Sequence, residues 1–475
     1  MNSPVSRSQD WLNTMNAGMS SFQMGRIGNA VNAFDRATKI QPERVEGWVN
    51  LGSALLEAKR LEAAAVALRK AISIDPKFMV SHMVYGDVQR QQGQVNQAIE
   101  SYRMAVSLQT SPMGLNKLAC MLRTRRKTLE AADFYRQAIA LDHRFTLAKV
   151  NLATLQLEMS NFEEASEHLN ALASLKLTPV EREEVEKSQL ALSQYFHLKE
   201  ALDILITEND LAPLEKALAQ TLPGAERVDT GALQSIRKYV KTGNQLVDIP
   251  AIAVTDLPAE WPLIEAMFMI PFVNSVSEYL EFKAGNDKGE KATGALLESV
   301  NMEAVILAAR ATRDEIHDPV KAEMHLRHWH ALSGRDVAGF SPGHFKYTQN
   351  WTHNSPTKKR VEPALASSTF RCFISDIYPE LEPGLIRAAI VWMAVCDLHP
   401  FADGNGRVAF SWMNRELEWA GLMPALFSRE LGLKGELGDV MRNVRAGNGD
   451  LSTVIAVITR AQHHAVAFCN ELAGI

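Results

Sequence analysis

Small and apolar positions recur along the first third of the chain with a helical spacing nested inside a longer one. Ala30, Ala64, Ala98, Ala131 and Ala165 follow one another at 34, 34, 33 and 34 residues. Seven positions after them stand Ala37, Ala71, Ala105, Ala138 and Leu172. The second unit carries the pattern most fully, with Trp48, Leu51-Gly52, Leu55, Ala64, Leu68, Ala71 and Pro76. Small residues let two antiparallel helices approach, and larger ones fill the gaps between stacked pairs. Pro42 and Pro76 end the second helix of their units, because proline cannot continue a helix. The period predicts about five stacked helix pairs over residues 9–178, forming a superhelix whose concave groove suits a peptide or protein partner. Asn16, Asn50 and Asn151 lie two residues before the small residue of the first helix, where an amide can face an extended backbone in the groove; Val84 and Lys117 take the other two places.

Beyond residue 178 the repeat stops. Pro179 opens a charged, helix-compatible segment predicted to cover the last repeat. Further helical stretches follow at Leu202–Thr221 and Gly231–Val240, then a proline-interrupted run to Phe272. Residues 179–290 therefore read as a helical connector, and residues 291–475 as a separate domain. That domain contains two apolar helical runs, Leu385–Leu398 and Val408–Ala420, the second stopped at Gly421. Strand-friendly pieces around Asn354-Ser355-Pro356 predict a small β-hairpin within residues 346–366. The fold class expected is all-α apart from that hairpin.

Composition narrows the function classes. A chain of 475 residues, 46% hydrophobic and 22% charged, has material for two or three soluble domains. A formal charge of −5 gives no support for a general nucleic-acid binder. The opening residues lack the apolar core of a signal peptide, and runs such as Ala388–Cys396 are too short for a bilayer, so no membrane contact is expected. Cys120, Cys372, Cys396 and Cys469 are scattered, as expected for reduced thiols in a cytoplasmic compartment.

Between the two apolar runs lies His399-Pro400-Phe401-Ala402-Asp403-Gly404-Asn405-Gly406-Arg407. Glycines permit close backbone approach, and amides at a following helix N-terminus point at whatever fills such a loop. The loop suits an anion, most simply a phosphate. An imidazole with an ordinary pKa near ~6.5 can take a hydroxyl proton at neutral pH, and a carboxylate offers a hard oxygen to Mg²⁺.

The repeats resemble tetratricopeptide repeats, with Ala119 and Ala153 replacing the first-helix glycine in the fourth and fifth units. The loop resembles the Fic motif, His-Pro-Phe-x-(Asp/Glu)-Gly-Asn-Gly-Arg-x-x-Arg, at every fixed position through Arg407. Gly343-His344-Phe345-Lys346 is similar to that family's Gly-x-Tyr/Phe-Arg segment, and Asn414 and Gly421 fall where its next helix carries asparagine and a terminating glycine. The resemblance implies transfer of AMP from ATP to a Ser, Thr or Tyr hydroxyl of a target protein. It implies His399 as general base, Asp403 on Mg²⁺, and Gly404, Asn405, Gly406 and Arg407 on the phosphates. Phe401 anchors the loop, Asn405 holds either a phosphate or the loop's own shape, and the hairpin is a flap that clamps the target. The repeats would recruit the target, and a homodimer is left open.

Two departures stand out. Phe410 occupies the place of the family's second arginine, which helps hold the terminal phosphate of ATP. Another donor stays open, either UTP, CTP or GTP, or one with no terminal phosphate there, such as CDP-choline. So does a protein-binding scaffold with a weakly active domain. Ser299 to Glu303 resembles the family's inhibitory helix, Ser/Thr-x-x-x-Glu-Gly/Asn, but ends in Ala304; with no second arginine, either Glu303 pairs with Arg407 or the brake is weak, and an ordinary exposed helical Ser and Glu is the alternative. Other features read as structural: a turn at Gly285–Lys291, which lacks the Gly-Lys-Ser/Thr of a phosphate loop, a helix bearing His325, His328 and His330 that does not converge on one face, a turn at Gly447–Asp450, and a final amphipathic helix with His463-His464.

Overall fold

The computed structural model describes residues 4–125, 127–159, 161–208, 210–219, 227–246, 250–270, 273–284, 291–313, 315–337, 341–346, 351–352, 355–447 and 449–474. They divide into two compact units, one of residues 1–157, 162–186 and 350–359, the other of residues 158–161, 187–349 and 360–475.

The first unit is a stack of helix pairs: α1 (Pro4–Gln23) with α2 (Ile27–Ile40), α3 (Val45–Glu57) with α4 (Leu61–Ile74), α5 (Met79–Gln91) with α6 (Val95–Leu108), α7 (Pro112–Thr124) with α8 (Thr128–Leu141), and α9 (Thr146–Glu158) with α10 (Phe162–Leu172). The alanines that set the period are fully buried. Gly18, Gly52 and Gly86 explain the tight crossing inside a pair, since a Cβ there would lie within 2.6 Å of Phe34, Leu68 or Tyr102. Asn151, expected to face a ligand, donates its amide to Asn116 Oδ1 of the preceding repeat at 2.8 Å. Lys117 pairs with Asp87, so polar contacts between repeats occupy part of the predicted groove ladder. The charged segment after the repeats begins α11 (Pro179–Glu208) with a reciprocal cap. Thr178 N–H donates to Glu181 Oε2 at 2.8 Å, Glu181 N–H donates to Thr178 Oγ1 at 3.3 Å, and Thr146 on α9 donates to Glu181 at 2.6 Å. The predicted hairpin forms from β1 (Trp351–Thr352) and β2 (Ser355–Lys359), antiparallel.

In the second unit the stretch read as a connector does not stand apart from the last domain. After α12 (Ala212–Ala219), helices α13 (Thr230–Gly243), α14 (Trp261–Met269) and α15 (Val276–Lys283) join α16 (Lys291–Arg310), α17 (Pro319–Ser333), α18 (Pro363–Cys372), α19 (Leu385–Leu398), α20 (Asn405–Trp419), α21 (Leu433–Arg445) and α22 (Leu451–Ala473). Ile236, Tyr239 and Val240 of α13 share one core with α19, α20 and α22, and Trp261, Ile264 and Met267 of α14 pack with Met423, Leu426 and Phe468. Backbone pairing of Ile252 and Val254 with Met423 and Gly421 adds a short antiparallel contact. A boundary at residue 291 cuts through this core. Buried ion pairs tie it further: Glu416 accepts from Arg387, Tyr378 and Trp412, and Glu265 accepts from Arg415, Asn414 and Trp261. Of the turn predicted at Gly285–Lys291, residues 285–290 lie outside the described residues, as does Asn448, and Lys291 begins α16.

Candidate active site

Helix α19 is buried almost throughout, and its last residue hands over to His399 in the left-handed conformation, φ 50° and ψ 58°. His399 N–H donates to Val395 O at 3.0 Å, closing the helix as glycine often does at this position. A histidine here costs backbone strain that a glycine would not, and such strain clusters at functional sites. Its Nδ1 lies 3.4 Å from Cys396 O. In the tautomer that donates Nδ1–H there, the ring's lone pair sits on Nε2.

The loop is held from inside. Asn405, 2% exposed, accepts from Phe401 N–H at 3.0 Å and donates to Phe401 O at 2.8 Å, so its side chain fixes the loop's shape. Phe401 is fully buried; its ring stacks on His330 at 3.9 Å and on Phe345 at 5.7 Å. Lys346 N–H donates to Pro400 O at 2.8 Å, which ties the Gly343–Lys346 segment edge-on to the loop. His330 joins the same two pieces: its Nδ1 accepts from Gly343 N–H at 2.9 Å, and its Nε2 donates to Asp403 O at 3.0 Å. Both nitrogens are thereby assigned and the ring is neutral; burial pushes its pKa down to about 3. Gly343 sits at φ +69°, a conformation that favours glycine. His330 was not legible as a site residue because the three histidines, which do not converge on one face, read as parts of a structural helix. Their partners differ, His325 lying 2.7 Å from Glu315.

Gly404, at φ 70°, begins α20, and its N–H donates to Asp403 Oδ1 at 2.8 Å. The amides of the first helical turn, from Asn405 onward, have no acceptor within the helix and point out of its N-terminal end. Gly406 is exposed, and a Cβ built there would meet nothing within 4 Å, so ligand atoms can come close to this turn. Asp403 is exposed at the rim. Histidine, carboxylate, helix-start amides and arginine thus come from one short loop and the helix turn it opens.

The carboxylate on Arg407 is Glu298 of α16, whose Oε2 accepts from Arg407 Nη2. Glu303, expected as the partner, lies five residues on, about 140° around the helix at 100° per residue. It faces the other way, close enough to α15 to act on Tyr279, and burial raises its pKa. Ser299 is fully buried and donates to Ala295 O of its own helix at 2.8 Å. Two acids on one helix were visible in the sequence, but only the phase of α16 against α20 decides which meets the arginine.

Burial also disfavours the charged form of other groups around the loop. His328 is pushed down to about 4 and His344 to about 3, both chiefly by desolvation, and Lys346 to about 7 by burial with Arg360 adding to it. For the two histidines the folded pKa lies below the ordinary 6.5, so the unfolded chain binds more protons between the two values. Stability present above pH 6.5 is therefore lost as pH falls toward 4. The melting temperature is expected to drop steeply from pH 6.5 to 4, and a flat profile there would contradict this account.

A Fic/DOC family model matches residues 322–417, and a tetratricopeptide-repeat model matches residues 15–77. Residues 322–417 are a Fic domain. The Fic match runs from α17 to near the end of α20 and so includes His330, the Gly343–Lys346 segment and the whole loop. It is a domain of transferase type, joined here to repeats of a kind that bind peptides or proteins. Protein O-mannosyl-transferase TMTC3 of Homo sapiens is 31% identical over 156 residues, 29% of this chain and 17% of that protein. Its Mus musculus counterpart is 28% identical over 183 residues, 35% of this chain and 19% of that protein. The chain spans less than a fifth of the length of these curated relatives. Among solved structures, a thermophilic TPR protein of Thermus thermophilus is 20% identical with a TM-score of 0.33, covering 38% of this chain and 99% of that one. Pseudomonas aeruginosa pilF is 15% identical with a TM-score of 0.35, covering 49% and 94%. Likeness at that level carries no functional argument. No helix among the described residues is long and apolar enough to cross a membrane.

Proposed function

We propose that the Fic domain transfers AMP from ATP to a Ser, Thr or Tyr hydroxyl of a target protein recruited by the repeats. The observation that carries this reading is the pinned loop that sets His399 against the amide-rich start of α20. The target oxygen attacks the α-phosphorus as His399 Nε2 takes its proton. The bond from that phosphorus to the bridging oxygen of the pyrophosphate breaks, and pyrophosphate leaves. The amides of the first turn of α20 and the guanidinium of Arg407 offset the charge on the phosphates, which with positioning supplies most of the rate in such transfers. Asp403 is an exposed single carboxylate whose donor set fits Mg²⁺, an ion that keeps waters and shares phosphate oxygens. When bound there the ion would supply further charge neutralisation.

A second reading, a donor without distal phosphates, is favoured by Phe410, whose ring packs against Trp392 at 5.9 Å and Phe427 at 5.0 Å and offers no polar group. Purified protein with Mg²⁺ and ATP, UTP, CTP, GTP or CDP-choline, followed by intact mass, separates the readings. The mass of AMP added only with ATP is the expected result; labelling only by CDP-choline would replace it.

Glu298 occupies Arg407 where a phosphate would bind, so the site is restrained as it stands. Glu298→Ala is expected to raise self-labelling roughly 3- to 10-fold, the scale of one partly exposed ion pair. Glu303→Ala is expected to change it little. The reverse pattern would return the restraint to Glu303.

A further inference from the structure

The face of α20 that carries Arg407 continues one turn later at Phe410, since residues three apart are neighbours on a helix. Phe410 is turned into the core, so this face provides a single cation. Positive charge returns from a different element. The turn before α21 is shaped by Ser428, whose hydroxyl accepts from Leu431 N–H at 3.3 Å and whose carbonyl accepts from Leu433 N–H at 3.2 Å. Gly432 follows at φ 67° and starts α21. This turn brings Lys434 over Phe410, with Nζ 5.8 Å from the ring centroid. Lys434, Phe410, Phe427 and Met269 line one pocket of about 250 Å³, including space open to solvent.

Glu265 also lines this pocket, but its carboxylate is already taken by Arg415, Asn414 and Trp261. The stem of Lys434 is exposed, and its ammonium donates to one neutral acceptor, Met269 O, at 2.9 Å. Desolvation lowers its pKa first, and the charges of Arg429 and Arg407 lower it further. Arg429 is itself exposed. Lys434 and Arg429 thus add positive charge where α20 lacks it, beside an Arg407 already paired with Glu298, and the repulsion between them is relieved when an anion joins them. A phosphate oxygen is a stronger acceptor for an ammonium than a backbone carbonyl, because both partners are then charged.

We propose that Lys434, aided by Arg429, receives the distal phosphates of the donor, so that the site selects a nucleoside triphosphate over a nucleotide-diphosphate alcohol. This rests on the transferase reading and gives it a donor class. A lysine that served only to hold the Met269 carbonyl would leave no such selectivity.

The test uses the full chain with Mg²⁺ and calorimetric titration of ATP, AMP and inorganic tripolyphosphate. Lys434→Gln is expected to weaken ATP and tripolyphosphate about tenfold, the loss of one charge-assisted contact, and to leave AMP unchanged. Arg429→Gln should weaken the same two ligands by less. Lys434→Arg should restore most of the affinity, which separates a lost charge from a damaged fold. Equal weakening of AMP and ATP, unchanged ATP binding in Lys434→Gln, or no binding of ATP and tripolyphosphate by the wild type would each overturn the proposal. ATP binding that depends on Lys434 without any group transfer would support the cation site and sink the transferase reading. Transfer from ATP with an unchanged KM in Lys434→Gln would do the opposite.

Discussion

Replacing His399 by alanine is expected to cut transfer roughly 10²- to 10⁴-fold, the usual worth of a positioned general base. His399→Gly should be equally inactive yet more stable than His399→Ala. The position lies at φ 50°, where an alanine keeps the clash of Cβ with its own backbone and a glycine does not. A difference of about 1 kcal/mol corresponds to ~2–4 °C in melting temperature for a unit of this size. Activity is read by intact mass with ATP, and stability by thermal unfolding without nucleotide. Retained transfer in His399→Ala would remove the histidine from the mechanism. Identical melting of the two variants would show that the left-handed geometry stores no strain.

The largest effect on stability is expected from Glu265→Ala. The Glu265 carboxylate is 1% exposed and accepts from Arg415 at 2.6 Å, Asn414 at 3.0 Å and the Trp261 indole at 3.1 Å. Its loss leaves the buried Arg415 guanidinium to Glu418, leaves the Asn414 amide only its bonds to Ala425, and strands the Trp261 indole N–H. Breaking a buried pair by removing one side costs about 3–5 kcal/mol. Urea unfolding followed by near-UV circular dichroism checks this, and a loss under about 1 kcal/mol would contradict it. The same reasoning says that a chain begun at residue 291, which lacks Glu265 and α13 to α15, will not fold into a soluble Fic domain. A well-dispersed, cooperative unit from such a chain would show that the earlier helices are dispensable.

Much of the molecule was legible in the sequence. The 34-residue spacing of buried alanines marks the repeats, because only small residues fit where paired helices cross. The loop from His399 to Arg407 is legible because helix end, glycines and helix start are encoded locally, within nine consecutive residues. Its support was harder to see. His330 is 69 residues upstream of His399, and nothing in its own sequence window distinguishes it from His325 or His328. Glu265, Glu298 and Lys434 are equally ordinary in their windows, and each acts on a residue more than twenty positions away.

The sequence alone therefore determined what depends on short-range pattern: the helical repeat, the all-α class, and the order of chemical groups in the loop. Tertiary structure decided what depends on how helices are rotated against one another. That rotation sets Glu298 rather than Glu303 on Arg407, turns Asn405 inward to Phe401, and brings Lys434 over the ring of Phe410. A helix presents a different side chain every 100°, so its neighbours are settled only when the whole core closes.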